Sequence, residues 1–123
     1  MISASIVLYN TDKDLLESVL ESYHPSQERL LLIIDNSPTP TDYFVNMKYV
    51  HYIFNEENIG FGAAHNIAIH KAIDLKSEYH IVLNPDIEFD TDIIAELKHY
   101  CDEHPDVSYV LPKVIYPNGD LQY

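Results

Sequence analysis

The sequence predicts an α/β fold: a Rossmann-like, mostly parallel sheet with helices on both faces. Three observations carry this. Short aliphatic runs recur at Ile2–Tyr9, Leu30–Ile34 and Tyr79–Leu83, the kind that make strands buried on both sides. Segments with apolar residues at helical spacing separate them, which implies parallel strands joined by right-handed crossovers. Each run ends in a polar turn, and open α/β sheets collect ligands outside the carboxyl ends of their strands.

Taken in order, Ile2 to Tyr9 reads as the first strand and stops at Asn10-Thr11-Asp12. Thr11 or Asp12 can cap the next helix, since a side-chain oxygen there accepts the free amides of the first turn. Leu15, Leu16, Val19, Leu20 and Tyr23 form that helix's apolar stripe, and His24-Pro25 ends it. Leu30 to Ile34 is the second strand, closed by Asp35-Asn36-Ser37-Pro38. Thr39 to Met47 is a loop or a short helix, and Tyr49 to Phe54 a third strand ending in Asn55-Glu56-Glu57-Asn58. Gly60-Phe61-Gly62 leads into a helix over Ala63 to Leu75, with Ala64, Ile67, Ala68, Ala72 and Ile73 at helical intervals. Its small residues permit close approach to a neighbour or a ligand.

The strand from Tyr79 is the one on which the site depends. Pro85 has no amide hydrogen and pushes Asn84 out of the helical region, so the strand ends there and Asp86 stands just past its carboxyl end. A carboxylate in that place can hold a divalent cation that in turn holds phosphate oxygens. It can equally do no more than satisfy local backbone donors in a strand-to-helix turn. Asp90-Thr91-Asp92 then caps a helix bearing Ile93, Ile94, Leu97 and Cys101, ended by His104-Pro105. Val107 to Leu111 reads as a fifth strand. Val114-Ile115-Tyr116, Pro117-Asn118-Gly119-Asp120 and Leu121 read as a hairpin, because Asn-Gly accepts the positive φ angles of a tight turn. In the commonest Rossmann-like strand order the first strand lies beside the one ending at Asp86, so the Asn10 turn, the Asp35 turn and Asp86 would line one crevice.

Composition bounds the function. At 123 residues with 46% hydrophobic content, the chain is the size of one domain, residues 1–123, with a real core. A net charge of −13, from 20 acidic against 7 basic residues, argues against nucleic-acid binding. A phosphate ligand on so acidic a chain calls for a cationic helper, and a metal meets that need. Cys101 is the only cysteine, which excludes an internal disulfide and suits a reducing compartment. No stretch approaches the ~20 apolar residues of a membrane span, and the start lacks a basic leader, so the expected location is cytoplasmic, with the inner face of the membrane as a further possibility.

Five pieces of the chain together resemble family 2 glycosyltransferases of the GT-A fold, most closely a rhamnosyltransferase-like branch. They are Ser5 to Asn10, Ile34 to Ser37, Asn58 to Asn66, Leu83 to Asp86 and Pro112 to Gly119, in the family's order and with compatible spacing. The resemblance implies an inverting transfer of a sugar from a nucleoside diphosphate to an acceptor hydroxyl, on a glycan or a lipid-linked molecule. Asp35 then matches the carboxylate that accepts the base N3–H of a uridine or thymidine nucleotide. Tyr9, Asn10, Asn58 and Gly60 match the nucleotide-binding turns, and His65, Asn66 and Asn84 the surroundings of the donor sugar and diphosphate. Asp86 matches the last aspartate of the Asp-X-Asp motif that binds Mg²⁺ or Mn²⁺. Asn84 departs from that motif's first aspartate. His65 stands where related sequences often carry arginine; it can assist phosphate binding at a helix amino terminus or serve as a capping or surface residue.

The family's general base lies in a later segment, with most of the acceptor site, and no residue of this sequence matches it. The expectation is therefore the donor-binding part of a longer enzyme or a truncated product, whose last hairpin exposes an unpaired edge and invites homodimerisation. The competing reading is a non-catalytic nucleotide or nucleotide-sugar binding module, which would share the crevice and lack the base. A response-regulator-like domain fits poorly, because no acidic cluster precedes Asp12 at the end of the first strand.

Overall fold

The computed structural model describes residues 1–90 and 93–122. It divides into two compact units, residues 1–91 and 92–123. The first holds a four-stranded, all-parallel sheet in the order β3-β2-β1-β4. Its strands are β1 (Ile2–Leu8), β2 (Arg29–Asp35), β3 (Val50–Phe54) and β4 (Tyr79–Leu83), and its helices are α1 (Lys13–Tyr23) and α2 (Phe61–Asp74). The order reverses at β1. The chain steps outward from β1 to β2 and β3, then crosses back to β4 on the other side, beside β1. Right-handed crossovers in opposite directions put α1 and α2 on opposite faces of the sheet.

Both faces are consequently covered at the centre, and all seven residues of β1 are buried. On the α2 face, Val7, Leu32 and Ile34 pack with Ala64, Ala68 and Ala72. Alanine at every fourth position gives α2 a flat side that lies close to β1 and β2. The opposite face of the sheet carries Ile6, Leu31 and Ile33, all at 0–1% exposure. Each such aliphatic side chain contributes about 1.5–3 kcal/mol by leaving water. In α1, Leu16, Val19 and Tyr23 are buried, and the Tyr23 hydroxyl donates to the Leu30 carbonyl at 3.0 Å. Leu15, expected on the same stripe, is instead 42% exposed, as is Ile73 of α2 at 65%. Each lies at the margin of its helix's apolar arc.

The helix signals resolve in detail. Asp12 rather than Thr11 is the cap of α1, accepting the Asp14 amide at 2.8 Å, and His24 ends the helix in the left-handed region at φ 53°. Helix α2 starts two residues earlier than the pattern suggests, directly after Gly60. Residues 39–47 form turns and no helix.

The second unit consists of α3 (Ile93–Glu103) and the chain that follows. Thr91 and Asp92 of the expected cap lie outside the described residues. The hairpin forms as a single antiparallel bridge between Ile115 and Leu121, with Gly119 at φ +90° in its turn. The fifth strand does not form: residues 107–111 pair with no strand among the described residues. Tyr109 and Leu111 are 79% and 74% exposed, so their apolar character brings no burial to hold a strand in place.

Candidate functional site

Because all four strands run parallel, their carboxyl ends share one edge, and the polar turns that follow them meet there. Backbone and side-chain hydrogen bonds stitch these turns together. The Asn36 amide donates to the Leu8 carbonyl and the Asn10 amide to Ser37 Oγ, both at 2.9 Å, which joins the ends of β1 and β2. Asn10 takes a left-handed conformation, φ 49°, to make that turn. The Asn55 amide donates to the Asp35 carbonyl at 2.9 Å and joins β3 to β2.

Asn36 is the hub. It is 2% exposed, its Nδ2 donates to the Gly60 carbonyl at 3.2 Å, and its Oδ1 accepts from Asn55 Nδ2 at 2.7 Å. One side chain thus holds the start of α2 against the ends of β2 and β3. Gly60 sits at φ +89°, ψ 162°, a region essentially closed to other residues. Its amide is fixed by Asn58 Oδ1 at 3.0 Å, and α2 has no side-chain cap, so its first-turn amides face outward without one. Asn36→Ala removes two part-buried hydrogen bonds, those to the Gly60 carbonyl and from the Asn55 side-chain amide. It is expected to cost about 1–3 kcal/mol of stability, read as a lower urea midpoint with unchanged slope. An unchanged midpoint would show that the hub is dispensable.

Asp35 ends β2 at 2% exposure. Its Oδ1 accepts the Ser37 amide at 2.9 Å and its Oδ2 accepts the Tyr52 hydroxyl at 2.6 Å. Two donors use two of the about four lone-pair positions of a carboxylate. The hydroxyl of Tyr52 also accepts the Thr41 amide at 3.1 Å. Burial, followed by the bond to Asp35, pushes the Tyr52 phenol up to about 12.

Two strands away, about 10 Å across the sheet, β4 ends and Asn84-Pro85-Asp86 follows. Asn84 and Asp86 are exposed, as are Tyr9, Asn10, Asn58 and Asn66. The chain beyond Asp86 is tied to α1, with Ser18 Oγ donating to Glu88 at 2.7 Å and the Phe89 amide to Ser22 Oγ at 3.4 Å. Asp35 and Asp86 therefore belong to one sheet edge, the first enclosed and the second open to solvent. An open hollow of about 540 Å³ lies against α1, lined by Ser18, Glu21, Ser22, Glu88, Phe89 and Asp90. Its three carboxylates make it unsuited to a diphosphate.

The structure turns His65 inward, which excludes the surface reading of that residue. It is 4% exposed, and its Nδ1 lies 2.7 Å from Ser5 Oγ. Ser5 Oγ also lies 2.8 Å from His80 Nε2, and His80 Nδ1 2.8 Å from Ser3 Oγ. A polar chain, His65-Ser5-His80-Ser3, thus runs under α2 along β1 and β4. His65 Nε2, at its end, is buried without a partner among the described residues. The reason lies in the pleat: Ser3, Ser5 and Val7 point to the α2 face, and His80 is in register with Ser3. Burial holds His65 below the ordinary histidine value, and burial together with the neighbouring His65 lowers His80 to about 4.

Among the described residues no three histidine, cysteine, aspartate or glutamate side chains form a preformed metal cage. Asp86 and the Asn84 side-chain oxygen are hard donors next to the sheet edge. They suit a cation of the Mg²⁺ type, which keeps most of its shell for phosphate oxygens and water and takes only one or two carboxylates from protein.

Comparison with known proteins adds three findings. The model of the family described as Glycosyl transferase family 2 matches residues 3–123. Among solved structures, the chain is similar in fold to S. aureus TarS residues 1–349, with 19% identity, a TM-score of 0.66, and coverage of 96% of this chain and 42% of that one. The same fragment in complex with UDP-GlcNAc matches with 19% identity, TM-score 0.66, and 96% and 41% coverage; a further S. aureus TarS structure matches with 18% identity, TM-score 0.65, and 94% and 24% coverage. The chain thus spans less than half the length of these structures. No curated protein matches it.

Proposed function

The chain belongs to glycosyl transferase family 2, and on that premise we propose that it is the donor-binding part of an inverting glycosyltransferase. The donor is a nucleoside diphosphate sugar, and the acceptor is a hydroxyl of a glycan or of a lipid-linked molecule. One observation carries the reading: the turns after β1, β2, β3 and β4 meet at a single sheet edge, with Asp35 at the end of β2 and Asp86 just past the end of β4, two strands away. That separation suits a nucleoside at one end and its diphosphate at the other. The fold neighbour whose structure was solved in complex with UDP-GlcNAc supports a uridine nucleotide as the first ligand to test.

In this reading Asp35 accepts the base N3–H, and Tyr9 and Asn10 pack around the nucleoside. Gly60 and Asn58 shape the turn before α2, whose free amides suit phosphate. Asn84 and Asp86 hold Mg²⁺ or Mn²⁺ together with the diphosphate. Such an ion supplies Lewis-acid neutralisation of the charge building on the leaving group. Asn66 borders the donor, whereas His65, being interior, supports α2 from beneath. We assign no general base. The Asn-Pro-Asp turn and the Pro112 to Gly119 segment support placement in the rhamnosyltransferase-like branch. A lipid-linked acceptor would bring the protein to a membrane surface; among the described residues no helix is long and apolar enough to cross one.

Calorimetry of UDP with and without Mn²⁺ tests the metal assignment. Asp86→Ala is expected to leave metal-free UDP binding intact and to remove the increment that Mn²⁺ adds. An undiminished Mn²⁺ increment would place the ion elsewhere.

A further inference from the structure

We propose that Tyr52 is a positioning residue that fixes Asp35 as an acceptor-only carboxylate and so selects uracil or thymine nucleotides over cytosine nucleotides. The inference rests on the proposed reading of Asp35 as the group that meets the base.

The polarity of the network follows from elementary hydrogen-bond inventory. A backbone amide only donates, so the Thr41 amide, 3.1 Å from the Tyr52 hydroxyl, occupies that oxygen as an acceptor. The hydroxyl's single proton is then directed to Asp35 Oδ2 at 2.6 Å. On the other side the Ser37 amide donates to Oδ1 at 2.9 Å. Each carboxylate oxygen faces a donor, and neither is offered an acceptor to which a carboxyl proton could go. What remains on Asp35 for a ligand is therefore lone pairs. Charge-assisted bonds of this kind are the stronger class, in keeping with the short 2.6 Å contact.

The phenol is itself braced. Its ring stacks on Phe44 at 5.5 Å and 22°, Phe44 is 2% exposed, and Tyr43 meets Phe44 edge-on at 5.0 Å. The turns at 41–47, irregular as backbone, thus form an aromatic brace that aims one hydroxyl. The phenol's raised value, about 12, keeps it a donor throughout the neutral range.

Selectivity follows from the base edges. Uracil and thymine present N3–H, a donor, to an acceptor-only carboxylate. Cytosine presents the N3 lone pair in that place, and two acceptors face each other without a proton. A site built to pair one hydrogen-bond pattern rejects the mismatched one because buried polar groups are left unpaired.

The test compares UDP and CDP binding by calorimetry on the full chain, with thermal melts confirming folding. Wild type is expected to favour UDP over CDP by roughly 10-fold or more. Tyr52→Phe keeps the ring and its stacking and removes the hydroxyl. It is expected to shrink the UDP:CDP ratio several-fold. Asp35→Asn, whose amide can donate, is expected to move the preference toward CDP. If Asp35→Asn shifts the ratio and Tyr52→Phe does not, the Tyr52 assignment is overturned while the reading of Asp35 stands. If Tyr52→Phe tightens UDP binding, the hydroxyl is a competitor for the carboxylate and the assignment is again overturned. If Asp35→Asn leaves the ratio unchanged, or wild type binds neither nucleotide, the reading of Asp35 falls and the inference with it.

Discussion

Asp35→Ala is expected to weaken UDP binding by about 10–100-fold, the cost of removing one charged hydrogen-bond partner, and to do so with or without Mn²⁺. The independence from metal is the informative part. Asp35 and Asp86 sit at different strand ends of one edge, so the first should govern the nucleoside and the second only the increment due to the cation. The substitution has a structural cost as well. It leaves the buried Ser37 amide and the part-buried Tyr52 hydroxyl without their acceptor, at a cost of about 1–3 kcal/mol for the buried donor and less for the other. Binding must therefore be measured well below the variant's melting temperature, on protein shown to be folded. UDP affinity equal to wild type in that sample would remove Asp35 from the site.

The second large effect is a loss of stability on mild acidification, originating under α2. His80 lies between Ser3 and Ser5, its ring lowered to about 4 by burial and by His65. In the unfolded chain it titrates near 6.5. Between these values the unfolded state binds the proton that the folded state refuses, so unfolding takes up protons and stability increases with pH. The stability associated with neutral His80 is fully present above about pH 6.5 and is lost progressively as pH falls toward 4. His65, shifted the same way by burial, adds to the slope. For a partly exposed ring the loss is about 1–2 kcal/mol by pH 5, or on the order of 5 °C in melting temperature. Carboxylates dominate below that, so the comparison is made between pH 7 and 5. His80→Gln keeps polar contacts to the serines without a group that titrates there, and its melting temperature should vary less with pH. Parallel profiles for wild type and variant would exclude this origin.

The element order was legible in the sequence because each signal is local. The aliphatic runs, the helical spacing of Leu16, Val19 and Tyr23, and the stop at Asn84-Pro85 are each read within a dozen residues, and each marks an element of the structure. The exception is also local. Val107 to Leu111 has the apolar content of a strand, yet a strand exists only through a ladder partner, and composition does not show whether one is at hand. The polar chain left a faint trace: Ser3 and Ser5 alternate within a run otherwise buried on both faces, which means one face of β1 carries hydroxyls that need partners. Their partners, His65 and His80, lie 60 and 75 residues or more away and carry no matching signal.

By itself, then, the sequence determined where β1 to β4 and the helices lie, that the strands are parallel, and that carboxylates and amides follow them. Periodicity and turn chemistry act over a few residues and need nothing from the rest of the chain. Only the tertiary structure decided that His65 faces inward, that Asn36 ties three loops together, and that Tyr52 aims its proton at Asp35. Those outcomes depend on strand order and on the register between β2 and β3. Order and register are chosen by burying the sheet as a whole, so no stretch of the chain encodes them alone.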